Sequence, residues 1–361
     1  MCYFKHRFVK HKNIKRKSSM KKLVDHLFEG PIDLIGDIHG ELDALMLLIK
    51  HLGYDQNANH PEGRRLVFLG DLVDRGPKSI SLLKVVKSWI DAGKAQCILG
   101  NHEFNILKAG VHTNEERHGN LWFLGREEGM SPENPDFIHP QELATLSDRK
   151  WMIDFFDTLP IALENQDLGV VHACWHEDSI NQLKRNEMIG HTDVTKLYKK
   201  YRNRIYEKIE SFNITDHTEI SMMKQNQNPV KVLTSGFEEL SGSSYFAGGR
   251  IRHAKRSRWW DHYQGKKIVI GHYWRKRQEI DANDLPADKA EVPEMFDHQN
   301  PFHWIGKGDV MCIDYSVGLR FLEREKDKLG QTGIGLCAMR WPEQKLYFDD
   351  GFITDIAAVN S

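Results

Sequence analysis

The chain has 361 residues, 40% hydrophobic and 28% charged, the composition of a globular protein with room for one domain with insertions or two ordinary ones. Its formal net charge of −1 argues against general nucleic-acid binding, although nine Lys/Arg and no acid fall in residues 1–22, which leaves −10 for the remainder. Five cysteines without close spacing fit neither a disulfide framework nor a zinc knuckle, and no apolar run reaches the roughly 18–20 residues needed to span a bilayer.

Residues 1–22 lack the apolar stretch of a secretory signal and read as a solvated, disordered basic arm, with Met20 as an alternative start. A reducing, cytoplasmic setting is expected from the cysteine usage, and residues 23–361 are expected to form one domain with insertions near 110–140 and 177–265.

In chain order, Ile32 to Ile35 is a short apolar strand that opens into Gly36-Asp37-Ile38-His39-Gly40. A carboxylate and an imidazole two positions apart in such a turn can face one ion. Leu42, Leu45, Met46, Ile49 and Leu52 then recur at helical spacing, and Gly53 suits the stop. The unit repeats: Leu66 to Leu69 is a strand, Gly70-Asp71-Leu72-Val73-Asp74-Arg75-Gly76-Pro77 its loop, and Ser79 to Asp91 a helix. A third strand, Gln96 to Leu99, leads to Gly100-Asn101-His102-Glu103 and a further helix. Three βα units predict a parallel α/β arrangement, in which ligands bind beyond the carboxyl ends of the strands.

Val111 to Pro140 is polar and irregular, a covering insertion, and Gln141 to Thr158 is expected to be helical. Gly169 to Cys174 forms a fourth strand ending in His172, Glu177 to Lys224 an accessory helical region, and Lys267 to His272 a fifth strand ending in His272. Val310 to Tyr315, Gly333 to Trp341 and Lys345 to Asp349 suit a β-meander closing a second sheet.

The strand ends thus collect Asp37, His39, Asp71, Asn101, His102, His172 and His272. Oxygen and imidazole donors without thiolate suit harder divalent ions, Mn²⁺ first and Fe or Zn²⁺ after it. Seven such residues exceed the needs of one ion. Two ions about 3.5–4 Å apart form the usual clamp for displacement at phosphorus.

Gly36-Asp37-Ile38-His39-Gly40, Gly70-Asp71-Leu72-Val73-Asp74-Arg75-Gly76 and Gly100-Asn101-His102-Glu103, in this order and spacing, resemble the phosphoprotein phosphatase branch of the calcineurin-like metallophosphoesterases. Cys312-Ile313-Asp314-Tyr315 through Arg340 resembles the closing strands of bacterial members. The resemblance implies a four-layer α/β fold, two mixed β-sheets packed face to face and flanked by helices. By the same resemblance Asp37, His39 and Asp71 hold one metal ion, and Asp71, bridging, with Asn101, His172 and His272 holds the other. A hydroxide between the ions attacks phosphorus directly, His102 protonates the leaving oxygen, Asp74 orients His102, and Arg75 clamps phosphate oxygens. The family's second phosphate arginine falls within Arg250 to Arg258, with Arg252 the first choice on spacing.

Two departures from the family pattern stand out. Ala173-Cys174-Trp175 follows His172 where Gly-Gly is usual, which alters the pocket wall, and Trp274 stands where the wider class often has a second histidine. The basic, aromatic segment around Trp259 and Trp260 reads either as a nucleotide-binding wall or as a lid edge with its tryptophans in the core. The substrate expected first is a phosphorylated protein, making the chain a Ser/Thr-type protein phosphatase. The alternative is a dinucleoside polyphosphate such as diadenosine tetraphosphate, and a catalytically silent interaction scaffold is the remote third. Neither general nucleic-acid binding nor a membrane is expected as a partner.

Overall fold

The structure, a computed structural model, describes residues 21–111, 121–124, 141–247, 250–278, 295–296, 300–325, 327 and 329–357. The basic arm before residue 21 and most of the 110–140 insertion lie outside them. The chain runs β1 (Val24–His26), β2 (Ile32–Ile35), α1 (Leu42–Leu52), β3 (Arg65–Phe68), α2 (Ser79–Asp91), β4 (Ala95–Cys97) and α3 (Asn101–Val111). A single helical turn, α4 (Leu121–Leu124), precedes α5 (Leu146–Phe156), β5 (Ala162–Glu164) and β6 (Leu168–Val171). Four helices follow: α6 (Glu177–Met188), α7 (Val194–Ser211), α8 (His217–Asn226) and α9 (Pro229–Ser235). The chain continues through β7 (Glu238–Ala247), β8 (Arg250–Arg256), β9 (Lys267–Ile270), β10 (Val310–Cys312) and α10 (Arg320–Glu325), and closes with β11 (Cys337–Trp341), β12 (Lys345–Phe348) and β13 (Ile353–Asp355).

Two mixed sheets carry the fold. One has the order β13-β12-β11-β2-β3-β4, the other β1-β5-β6-β9-β10. Strands β2, β3 and β4 are parallel, as βα units require, while β11, β12 and β13 pair antiparallel at one side. Leu34, Val67 and Ile98 from the first sheet pack with Val170, Val269 and Met311 from the second in one buried cluster, each side chain contributing about 1.5–3 kcal/mol by leaving water. Helices bury their apolar stripes against the outer faces, where Leu45, Leu48 and Ile49 of α1 and Leu83 and Val86 of α2 join a second cluster. This is the α/β architecture the metallophosphoesterase resemblance implies.

The closing strands divide differently from the expected meander. Val310–Cys312 runs parallel to β9 in the five-stranded sheet, and the meander is β11-β12-β13, whose last strand the sequence reading did not include. The physical reason lies in burial: all three residues of β10 are enclosed, as in a parallel strand covered on both faces, whereas β12 alternates between half-buried and buried. Buried Asp33 ties the meander to β2. It accepts from Tyr54 Oη at 2.8 Å and from Arg340 Nε and Nη2 at 2.8 and 3.1 Å.

The last three helices of the accessory region start with caps. Asp193, Asp216 and Asn228 each accept a backbone N–H of the first turn, and Pro229 occupies the first position of α9. Beyond α9, the segment with Arg250 to Arg256 is the second strand of an antiparallel hairpin with β7. Among the described residues no helix is long and apolar enough to cross a membrane.

Candidate metal centre

The loops after β2, β3, β4, β6 and β9 bring the strand-end residues to one place. Donor atoms of His39, Asp71 and His102 lie within 4.8 Å of one another, and so do those of Asp71, His172 and His272. Asp71 is common to both groups. Asn101 joins the second, its Oδ1 lying 2.7 Å from His272 Nδ1 and 3.1 Å from His172 Nε2. Asp37 lies at the same strand ends, its carboxylate accepting the His272 backbone N–H at 3.1 and 3.3 Å. His102 falls in a donor group while its Nδ1 lies 2.5 Å from Asp74 Oδ2.

The backbone is bent to achieve this. His39, Asp71, Asp74, Arg75 and His272 all have φ between 48° and 71°, the left-handed region that costs a non-glycine residue about 1–3 kcal/mol. Gly70, at φ 85°, turns the chain just before Asp71, and a Cβ there would lie 2.4 Å from the Gly100 nitrogen. A Cβ on Gly271 would lie 2.0 Å from Asp37 Oδ1, so only glycine lets β9 end beside that carboxylate.

Glu103 locks the two loops together. Its buried carboxylate accepts the backbone N–H of Asp71 at 2.8 Å, of Leu72 at 2.7 Å and of Gly100 at 3.1 Å. Burial, with Asp71 adding to it, raises its pKa to about 7.

Ring orientation decides what the histidines can do. His39 Nδ1 lies 2.9 Å from the Val73 carbonyl and His172 Nδ1 2.7 Å from that of Leu69. Each therefore donates from Nδ1 and turns the Nε2 lone pair inward. His172 Nε2 then faces Asp71 Oδ2 at 3.2 Å and Asn101 Oδ1 at 3.1 Å, lone pair against lone pair. Such a cluster calls for a cation between its members. Burial opposes a proton on His172, yet Asp71 and Asp37 raise its pKa to about 10. Burial followed by Arg75 holds His39 well below the usual histidine range, and burial followed by Arg256 does the same to His272. His272 turns Nδ1 toward Asn101 Oδ1, while its Nε2 is buried without a hydrogen-bond partner. Burial works against ionising Asp71, but His172, His102 and His39 keep it well below the ordinary carboxylate range.

A family model described as calcineurin-like phosphoesterase matches residues 30–274, a span that contains every donor named above. The chain belongs to the calcineurin-like phosphoesterase family. Bis(5'-nucleosyl)-tetraphosphatase PrpE (asymmetrical) of Anoxybacillus flavithermus is 48% identical over 174 residues, 45% of this chain and 66% of that protein. Its namesake in Bacillus subtilis is 34% identical over 175 residues, with the same coverage. The chain thus spans just under two thirds of the length of these curated relatives. A cold-active protein-tyrosine phosphatase of a Shewanella species is similar at 14% identity and TM-score 0.44, over 94% of this chain and 83% of that one. The calcineurin-like family implies a dinuclear divalent centre, and the oxygen-and-imidazole donor set, with its shared carboxylate and inward-facing lone pairs, fits one.

Arg75 stacks its guanidinium 4.6 Å from the Trp274 ring, and its Nε is buried without a partner. The structure sets the arginines of the hairpin apart. Arg252 pairs across the strands with Tyr245, whereas Arg256 donates to the His272 carbonyl at 3.0 Å and lies over Tyr273. Strand geometry adds about 3.3 Å per residue, so four positions place Arg252 some 13 Å farther along the hairpin. Trp259 and Trp260 belong to the core: Trp259 Nε1 donates to the Ala173 carbonyl and Trp260 stacks on Phe296. The lid-edge alternative for this segment is therefore the one the structure matches. Ala173, Cys174 and Trp175 are likewise enclosed, with the Ala173 N–H donating to Leu233 in α9. Burial raises the thiols of Cys97, Cys174, Cys312 and Cys337, which removes them from thiolate chemistry.

Sequence reasoning assigned no role to Glu103, Trp122 or Asp314, and held Arg256 only as one of four candidates for the second phosphate arginine. Glu103 carried a signal, an acid in the first turn of a helix directly after two site residues. Asp314 sat in a segment noted as a β run and for its resemblance, without a role of its own. It is buried beside Asp37 and Arg75, accepts the Ser316 N–H at 2.9 Å, and burial raises its pKa to about 6.

Proposed function

We propose that this chain hydrolyses phosphoric anhydride or ester bonds with the help of two divalent ions, Mn²⁺ first among them, and that its substrate is a dinucleoside polyphosphate. The observation that carries the reaction class is the place of Asp71 between His39 on one side and His172 and His272 on the other, with the His102–Asp74 pair alongside. When bound, two such ions neutralise phosphate charge and make water nucleophilic at neutral pH. In this reading Asp37, His39 and Asp71 hold one ion, and Asp71, Asn101, His172 and His272 the other.

The chain's own groups do the rest. His102 gives the proton on Nε2 to the leaving oxygen. Asp74, accepting from Nδ1, holds the imidazole in the tautomer and orientation for that transfer. Arg75, braced on Trp274, offers its fork to phosphate oxygens. Arg256, at the His272 carbonyl, is better situated than Arg252 to be the second phosphate arginine.

The names of the relatives support the nucleotide substrate over the phosphoprotein that sequence reasoning ranked first. One observation favours the phosphoprotein as a second reading: with Trp259 and Trp260 buried, the basic segment has lost the stacking surface a nucleotide wall would use. The test is a screen of the purified protein with Mn²⁺ against phosphopeptides, mononucleotides and dinucleoside polyphosphates. Turnover concentrated on dinucleoside polyphosphates is expected. Preference for phosphopeptides would overturn the substrate assignment, and silence on every substrate would overturn the reaction class.

A further inference from the structure

The Asp74 carboxylate has two oxygens with two different donors. Oδ2 faces His102 Nδ1 at 2.5 Å, and Oδ1 accepts the indole N–H of Trp122. Trp122 lies in α4, outside every motif that marks the metal centre, and is 3% exposed. The torsion that turns an aspartate carboxylate is broad, with no staggered well to hold it. A carboxylate gripped at one oxygen can swing. Gripped at both, it cannot.

Trp122 is itself held by the loop it serves. Its carbonyl accepts the Ala144 N–H at 2.8 Å. Two residues earlier, the Glu142 N–H donates to the Pro77 carbonyl at 2.9 Å, and Glu142 Oε2 accepts the Ser81 N–H at 2.8 Å. Ser79 Oγ accepts the Asp74 N–H at 3.1 Å. The contacts therefore close a ring: Asp74 to Ser79, along the chain to Ser81, across to Glu142, on to Ala144, to Trp122, and back to Asp74. Every step is a hydrogen bond or continuous chain.

We propose that Trp122 is a positioning residue for proton delivery, its indole N–H fixing Asp74 so that Asp74 fixes the His102 ring. Trp122 touches no substrate; it acts through Asp74. The inference rests on the reading of His102 as the proton donor. It also gives α4 a specific task, the stiffening of the acid pair.

The test uses the full chain with Mn²⁺ and a series of phosphate monoesters, from nitrophenyl phosphate to esters with poor leaving groups. His102→Ala calibrates the reading beneath: its loss in kcat must grow as the leaving group worsens, and equal losses throughout would overturn that reading and leave Trp122 nothing to position. Given that slope, Trp122→Phe should show a shallower one in the same direction, about tenfold in kcat at the poor end, with KM moved far less. Combined with Asp74→Asn it should add little to the single change. A loss uniform across leaving groups, or fully additive with Asp74→Asn, would overturn the proposal and make Trp122 a packing residue. If the phenylalanine variant is unstable, replacing the indole by benzothiophene removes the N–H and keeps the shape. The same slope is expected there, and wild-type behaviour would overturn the proposal.

Discussion

The two sheets supply one site in opposite ways. Beyond the six-stranded sheet, Asp37, His39, Asp71, Asp74, Arg75, Asn101 and His102 come from three successive strand-to-helix connections, the last two residues from the first turn of α3. The first two are strained in φ, and Glu103 braces the second to the third. Beyond the five-stranded sheet, His172 and His272 stand 100 residues apart in sequence, with four helices and a hairpin between them. They become neighbours because β6 and β9 are adjacent and parallel. The first sheet supplies carboxylates and the acid pair, while the second adds two imidazoles, and the hairpin an arginine. Chemistry that depends on exact spacing sits in short local motifs. Chemistry that needs only a ligand at a strand end tolerates long insertions.

Substitutions can break this contrast. The largest effect is expected at Asp71, the residue both donor groups share: Asp71→Asn should lower kcat about 10³-fold or more, and a loss below tenfold would show that the two groups work independently. Next come the second-sheet ligands. His172→Ala and His272→Ala should each cost about 10²-fold and leave roughly one bound metal per chain by elemental analysis, where unchanged metal content would remove them from the ligand set.

A smaller effect is expected from the brace. Glu103→Gln replaces one acceptor oxygen by an N–H₂ that opposes the backbone donors, so kcat should fall about 10- to 100-fold with a measurable drop in melting temperature. Wild-type kinetics would mean the strained loops hold their geometry unaided. The smallest effect belongs to the hairpin. Arg256→Ala should raise KM about tenfold with less change in kcat, and Arg252→Ala should do less on both. The reverse order would restore Arg252 as the phosphate ligand.

This contrast also governs what the sequence made legible. The three βα loops could be read because glycine, carboxylate and imidazole fall at fixed offsets after short apolar strands. His172 and His272 were legible only as histidines ending such strands, and their convergence depends on a strand pairing that no local pattern specifies. β1 and β5 are three-residue strands, too short for periodicity to register. The hairpin was hidden for another reason. Its second strand, Arg-Ile-Arg-His-Ala-Lys-Arg, is built of charged residues and pairs through an irregular register between Leu240 and Tyr245. Arg252 and Arg256 differ by four positions in one basic run, and only the fold shows which one meets His272. Trp122 is the extreme case, an aromatic residue in a polar, irregular stretch whose partner lies 48 residues away.

If both sheets together hold two ions through Asp71, metal binding and turnover must be linked. Calorimetric titration of the metal-stripped protein with Mn²⁺ tests it most directly, with turnover followed at each addition. Two equivalents per chain are expected, with activity appearing only as the second binds and both lost in Asp71→Asn. A single equivalent, or full turnover before any metal is added, would contradict it.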